Sequence, residues 1–399
     1  MMKNNILLMS LNKNKTIKVF DTTLRDGEQG IGHLMTIDQK MSILKSLDVL
    51  GLDRIELGFP AASDYDAQWC YQSSTVALKT KVCVFSRPTI EDINKTLLAM
   101  RGFDRFQVQL LALGSELHLL HKRGITLDQA SNELKQAIQH LKHHGVTDIS
   151  VIYEDATRGS KSFLKGMIGV AVDEGAHTVT MADTVGYAIP EQIFDLIKWV
   201  RVMVGSKIQL AIHAHNDLGL ATANTLAAIR ADADIIQTTL GGIGERAGNC
   251  ALEEIAAILH YKFLDYHACL SVDLQELVSA CDALFKRLQR DIPSNKPIVG
   301  PHVFTTAAGL HQNGILKKSE IYEYVQAQHF GRKRKFMFNR LSSPSVLKNL
   351  IFGHMQNAYP PIDVFYKTII ADNQSYEFEQ IQALYDRFMQ KGANDEKID

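Results

Sequence analysis

Cysteine is scarce in this chain and carries no pattern. Its five residues, Cys70, Cys83, Cys250, Cys269 and Cys281, make an odd number with no CxxC spacing. That argues against both a disulfide framework and a cysteine-based zinc site; they read as reduced thiols in or near a core. Long apolar runs are missing too. Nothing approaches the roughly 18 residues that a membrane helix needs, and Ile6-Leu7-Leu8-Met9 is too short for the apolar region of a signal peptide. Neither charge sign is in excess. Lys plus Arg number 43 and Asp plus Glu 44, a formal net charge of −1, so no whole-chain surface for nucleic acid or an anionic membrane is expected. With 46% hydrophobic and 22% charged residues, the composition is that of a globular protein. The expectation is a soluble cytoplasmic protein with neither nucleic-acid nor membrane partners.

What the chain does have is alternation. Short β-rich runs fall at Ile17–Asp21, Arg54–Phe59, Lys81–Phe85, Arg105–Ala112, Asp148–Glu154, Thr178–Asp183, Ile208–His215 and Asp234–Leu240. Helix-like segments lie between them: Thr36–Leu50, Thr89–Met100, Thr126–His144, Lys161–Glu174, Pro190–Val204 and Leu218–Ala231. Several open on a capping Thr or on Pro, as helix starts do. Strand–helix alternation predicts a parallel sheet. Eight such units in about 260 residues fit a (β/α)8 barrel, with a doubly wound sheet as the rival. Val272–Arg290 reads as one more helix, and the Pro/Ser/Asn-rich stretch Asp291–Pro297 as the end of the barrel. The division predicted is a catalytic barrel over 1–290 and mostly helical subdomains over 291–399. The basic run Arg332-Lys333-Arg334-Lys335 reads as a solvated loop, with phosphate contact as the alternative.

Polar residues gather at or just beyond the predicted strand ends, where barrel enzymes place their sites. Asp21 through Gln29 follow the first strand, Glu56 lies near the end of the second, and Glu154-Asp155 end the fifth. Asp183-Thr184 end the sixth, His213 and His215 the seventh, and a glycine-rich segment holding Asn249 follows the eighth. His213 and His215 are two residues apart on a strand and so share one face. Two imidazoles there resemble half of a metal site, which a carboxylate from the first loop, Asp21 or Asp26, and Asn249 would complete. Mixed N and O ligands suit Zn, Mn, Co or Mg. Gly242–Ala247 fits GxGxxA, but it sits at the eighth unit, carries a Glu-Arg pair and lacks a clear following strand, so a dinucleotide site is not expected. His311 stands in a glycine-flanked segment of the second region.

Six motifs occur in order: DTTLRDGEQG, IELGFPAASDYD, EDATR, DTVGY, HAHNDLGLATANTLAAI and GIGERAGNCALEE. Together they resemble the acetyl-CoA-dependent Claisen condensing enzymes, the 2-isopropylmalate, homocitrate and citramalate synthases, from about Lys18 to about Leu350. The resemblance implies a TIM barrel followed by small helical subdomains. It implies Asp26 rather than Asp21 as the metal-binding carboxylate, with His213, His215 and Asn249 as the other ligands of a divalent ion. It gives Arg25 the task of polarising the keto oxygen, Glu154 that of assisting proton abstraction, and Thr184 and Glu56 a place with Arg25 in substrate binding. His311 becomes the candidate base, reaching into a partner subunit's barrel, and Tyr322 a catalytic hydroxyl. A homodimer follows from that reach.

The implied reaction joins acetyl-CoA to a 2-keto acid and releases CoA. Gly58–Ser63 and His311–Gly314 look most like the isopropylmalate branch, whose keto acid is 2-ketoisovalerate and whose product serves leucine biosynthesis. Homocitrate synthase (2-oxoglutarate), citramalate synthase (pyruvate) and a related metal-dependent C–C lyase are the alternatives. Arg87, Arg158 and His118 are candidates for meeting the second carboxylate of a homocitrate-type substrate. Departures from the family pattern are Gly30-Ile31-Gly32, Gly241, Ala308, Asn313 and Ser342-Ser343-Pro344. With about forty residues after Pro360, no separate leucine-regulatory domain is expected.

Overall fold

The computed structural model describes residues 15–352, 362–370 and 374–395. Ile6–Met9 and the last four residues lie outside that range.

The eight apolar runs form strands β1 (Lys18–Asp21), β2 (Arg54–Glu56), β3 (Lys81–Ser86), β4 (Gln107–Leu113), β5 (Asp148–Glu154), β6 (Thr178–Asp183), β7 (Gln209–Ala214) and β8 (Ile235–Thr238). They pair in parallel in chain order, and β8 closes on β1 from Lys18–Ile235 to Asp21–Thr238. The sheet is therefore a closed barrel and not a doubly wound sheet. The helices that follow the strands in turn are α1 (Ile37–Asp48), α2 (Asp64–Ser73), α3 (Ile90–Ala99), α4 (Leu127–His143), α5 (Lys161–Asp173), α6 (Pro190–Val204), α7 (Ala221–Arg230) and α8 (Leu252–Tyr261). A ninth, α9 (Leu274–Arg287), packs against α1 and α8.

The starts of these helices are written locally. Thr36 accepts from the Gln39 amide while the Gln39 side chain accepts from the Thr36 amide, and Thr126 and Gln129 repeat the arrangement. Such reciprocal caps satisfy two of the amides that a helix start leaves unpaired. Pro190 opens α6, where its missing N–H costs nothing. Helix α2 was not foreseen from the sequence. Ser63 caps it, but only Trp69, Cys70 and Ser73 of its ten residues are buried, too few to print a helical period.

Side chains fill the barrel. Phe20, Cys83, Ala211 and Ile235 form one apolar cluster. Phe85, Ile152 and Ala182 form a second, with Phe59 and Leu111 packed against it. All five cysteines are free; Cys269 is half-buried and the others are buried. Among the described residues no helix is long and apolar enough to cross a membrane.

The chain divides into two compact units between Ile292 and Pro293. The second carries helices α10 (Gly309–Lys317), α11 (Pro344–Phe352), α12 (Ile362–Ile370) and α13 (Phe378–Asp395). It also carries a three-stranded sheet, β9 (Thr305–Thr306), β10 (Lys335–Phe338) and β11 (Tyr376–Glu377), with β10 in the middle. Its core gathers Phe338, Val346, Leu347, Ile362, Phe365, Tyr366, Ile381 and Tyr385. In the basic run, Arg334 pairs with Glu323, and Lys335 with Glu377 at 3.0 Å.

Candidate active site and metal centre

The loop after β1 is a tight turn. The Thr22 carbonyl accepts from the amides of Arg25, Asp26 and Gly27 at 3.1, 2.9 and 3.2 Å, which turns Arg25 and Asp26 over the barrel mouth. Asp21 is spent on the loop itself: it accepts from the Thr23 amide at 2.9 Å and the Thr23 hydroxyl at 3.0 Å. Burial pushes its carboxyl up to about 7, against the hydrogen bonds from Thr23.

Asp26 meets the two imidazoles of β7 and its end. Its Oδ2 lies 3.4 Å from His213 Nε2 and 4.0 Å from His215 Nε2, and the two Nε2 atoms are 3.2 Å apart. Asp26, His213 and His215 are all buried and offer one ligand atom each within 4.8 Å of one another. Burial works against the Asp26 charge, but Arg25 and the two imidazoles hold its carboxyl well below the usual range. Burial, then the neighbouring His213, brings His215 down to about 4, so its ring stays neutral near pH 7 with a lone pair to give. Asn249 donates to Asp26 Oδ1 at 3.0 Å and to the Ile243 carbonyl at 3.2 Å, while its own Oδ1 is buried without a protein partner. An orphaned amide oxygen beside a carboxylate and two neutral imidazoles is a donor set that fits a divalent cation. Gly244 makes room for it: at its φ of 153°, a Cβ would stand 2.1 Å from Asn249 Nδ2.

Beneath the cluster a ring of side-chain bonds runs through the interior. Arg25 donates to Asp26 at 2.8 Å and to Glu56 at 2.7 Å. Glu56 accepts from Gln109 of β4 at 2.9 Å, and Gln109 accepts from Gln237 of β8 at 2.7 Å. Gln237 Oε1 lies 3.0 Å from His213 Nδ1, and His213 leads back to Asp26. Glu56 and Asp26 outweigh burial and hold Arg25 firmly protonated, and its guanidinium lies 4.8 Å over the Phe85 ring. Glu56 was expected to bind substrate. It is fully buried, with one oxygen bonded to Arg25 and the other to Gln109, and the residues lining the mouth cavity do not include it. Its geometry is that of a residue that aims Arg25. Gln109 and Gln237 escaped the sequence reading; a polar residue at an interior register of an apolar strand was the available signal.

One cavity at the mouth is lined by Arg25, Asp26, Glu154, Thr184, His213 and His215, over an apolar floor of Phe59, Phe85, Leu111, Ile152 and Ala182. Gln29, Glu245 and Arg246 complete its wall, Arg246 being paired with Asp217 at 2.7 Å. Thr184 accepts from the Asp155 amide at 2.9 Å. Each cation considered for a second substrate carboxylate already faces an acid. Arg87 is bonded to Asp92 at 2.5 Å, Arg158 to Asp155 at 2.6 Å, and His118 lies 3.2 Å from Glu154.

His311 and Tyr322 belong to the second unit, where their rings stack with centroids 4.2 Å apart at 24°. Both are exposed, with Leu310 at 83% and Ile321 at 54% beside them. Gly314 permits the stack, since a Cβ there would lie 2.5 Å from the Tyr322 ring.

The HMGL-like family model matches residues 16–284, and the model described as homocitrate synthase post-HMGL domain-like matches 298–351. The 2-isopropylmalate synthase of Solidesulfovibrio magneticus is 37% identical over 81% of this chain and 63% of its own length. That of Lactococcus lactis subsp. cremoris is 34% identical over 94% and 70%, and that of Pyrococcus abyssi 34% over 79% and 65%. This chain thus spans 63–70% of these three relatives. Among solved structures, hydroxymethylglutaryl-CoA lyase from Pseudomonas aeruginosa aligns with a TM-score of 0.60 at 18% identity, over 71% of this chain and 97% of that one. The HMG-CoA lyase from Brucella melitensis gives 0.59 at 18%, over 69% and 99%. At such identities the likeness is one of fold.

Proposed function

This chain belongs to the HMGL-like family, in its 2-isopropylmalate and homocitrate synthase group, and on that premise we propose that it condenses acetyl-CoA with a 2-keto acid, 2-ketoisovalerate in the first place, and releases CoA by hydrolysis of the product's thioester with water. The observation that carries the choice of substrate is the mouth cavity. It sets a chelating cluster and Arg25 above an apolar floor; Arg246, also in the lining, is bonded to Asp217, and Arg87, Arg158 and His118 each already face an acid. That suits a keto acid with a branched apolar tail better than a dicarboxylic one. Pyruvate, with a smaller tail, is the second reading, because the same apolar floor, where Phe85, Ile152 and Ala182 pack together, would also accept a methyl group.

Asp26, His213, His215 and Asn249 would hold a divalent ion, which when bound would supply Lewis-acid activation of the keto acid. Arg25, fixed by Glu56, presents a permanent positive charge where negative charge develops on oxygen. The acetyl methyl is a very weak acid, so base and charge stabilisation are both required. His311, assisted by Glu154, takes that proton, and Tyr322 places a hydroxyl beside it. In this reading the second unit serves the barrel of a partner subunit in a cytoplasmic homodimer, and the exposed apolar residues around the His311–Tyr322 stack support an interface there. The product would enter leucine biosynthesis.

The test offers the purified protein acetyl-CoA with a panel of 2-keto acids and follows free thiol. Chelator-sensitive thiol release with 2-ketoisovalerate is expected; release with 2-oxoglutarate or pyruvate alone would reassign the substrate, and none with any keto acid would overturn the synthase reading.

A further inference from the structure

We propose that Lys122 is a positioning residue that locks the Glu154 carboxylate in its working orientation, and that the short π-helix carrying it is built for that task. The proposal rests on the reading of Glu154 as a group that assists proton abstraction.

Glu154 ends β5 and looks into the mouth cavity. Directly after it the backbone turns away, with Asp155 in the left-handed region at φ 64°, so Glu154 is the last side chain the strand can aim. The described hydrogen bonds give its carboxylate no backbone donor. Its partners come from the loop after β4, where His118–Arg123 form one turn of π-helix closed by Gly124 at φ 60°. Isolated π-turns are uncommon and concentrate at functional sites. This turn is pinned at its start: Ser115 Oγ accepts from the His118 amide at 3.2 Å and donates to Asp155 Oδ2 at 2.6 Å. His118 and Lys122, four positions apart, then reach the same carboxylate.

Lys122 Nζ lies 2.7 Å from Glu154 Oε1 and 2.6 Å from Oε2, a near-symmetric fork. His118 Nδ1 lies 3.2 Å from Oε2. The neighbouring cations are engaged elsewhere: Arg123 with Glu133 at 3.0 Å, Arg158 with Asp155 at 2.6 Å, Arg87 with Asp92 at 2.5 Å. Lys122 is thus the cation given to Glu154. A carboxylate gripped at both oxygens cannot rotate about its last bond without breaking a charge-assisted hydrogen bond. Proton-transfer partners depend on such alignment, and a misplacement of about 1 Å costs on the order of 100-fold in rate. The Lys122 side chain is 47% exposed, so the fold does not depend on it and its removal tests the site alone.

The experiment compares Lys122→Met and Lys122→Arg in the wild-type and Glu154→Gln backgrounds. Lys122→Met is expected to lower kcat about 10–100-fold with KM for the keto acid within about twofold, Lys122→Arg to restore most of the loss, and Lys122→Met to add nothing once Glu154 is Gln. Unchanged kcat, an equal loss in both backgrounds, or a loss confined to KM would overturn the proposal. A wild-type protein that releases no CoA with any keto acid would strike the synthase reading instead. The pairing is then read without turnover, from the NMR signal of the Lys122 ammonium, which should shift in Glu154→Gln. No shift there would refute the proposal on its own.

Discussion

His213 Nδ1 and Gln237 Oε1 lie 3.0 Å apart, and that contact decides which nitrogen His213 can offer. With Nδ1 donating to the amide oxygen, Nε2 keeps its lone pair and faces Asp26 and His215. Outer partners of this kind fix the tautomer and orientation of a metal-binding histidine, and their loss costs about 10–100-fold in affinity. Gln237→Leu should therefore weaken divalent-metal binding by that factor in a calorimetric titration, and Gln237→Glu, which keeps the acceptor for His213 but gives up the donor to Gln109, should lose less. Equal affinities in all three proteins would show that the contact is idle.

Arg25 holds two acids with different nitrogens, Nε on Glu56 and a terminal nitrogen on Asp26. A lysine has a single ammonium and cannot reproduce that fork. Arg25→Lys is expected to lower kcat by roughly 100–1,000-fold, the usual loss on removing one preorganised donor to a developing oxyanion, with metal content unchanged by mass spectrometry. A variant that keeps more than a tenth of wild-type kcat would rule out that role.

Asp21 gives a pH signature. Its carboxyl titrates near 7 in the folded chain because burial disfavours the charge, against an ordinary value of 3.8. Between about pH 4 and 7 the folded state keeps a proton that the unfolded state has lost, so this group's stabilising contribution is complete below the lower value and gone above the upper. His215, lowered to about 4, works in the opposite direction, which makes a comparison of variants more telling than one curve. The Tm difference between Asp21→Asn and wild type should drift in favour of the variant from pH 5 to pH 8. Parallel curves would refute the titration.

Helix α10 starts at Ala308 without a side-chain cap. The Gly309 amide is bonded to the Leu341 carbonyl at 2.9 Å, and a serine at position 308 would offer a hydroxyl to the amides that follow it. Ala308→Ser should stabilise the second unit by about 1 kcal/mol, measurable by denaturant titration; a neutral or destabilising result would mean those amides already have partners. Asn313, the other departure in this segment, is accounted for: its amide donates to the Gly309 carbonyl at 3.0 Å, which a carboxylate cannot do.

The barrel was legible because the strands are short and largely apolar and the first five are each followed by a helix capped by Thr or Ser, and Asp148–Glu154 and Thr178–Asp183 match their observed strands residue for residue. His213 and His215 were legible because period-two spacing puts them on one face. The interior ring was not. Gln109 and Gln237 are 128 positions apart, and neither has a neighbour in sequence that hints at the other. Lys122 was hidden for a different reason: its helix has no apolar period, since none of its six residues is buried. Glu56 was read by its place at a strand end, but which of its neighbours would claim its oxygens depended on the closed barrel.

The ring's closure bears on how this chain can change over generations. Gln109 and Gln237 each donate with one amide atom and accept with the other, so the direction of every bond in the circuit is set by the rest. A single exchange at either position leaves a buried partner unanswered beside the metal cluster. Viable substitutions should therefore arrive as matched pairs, tying the history of the fourth strand to that of the eighth.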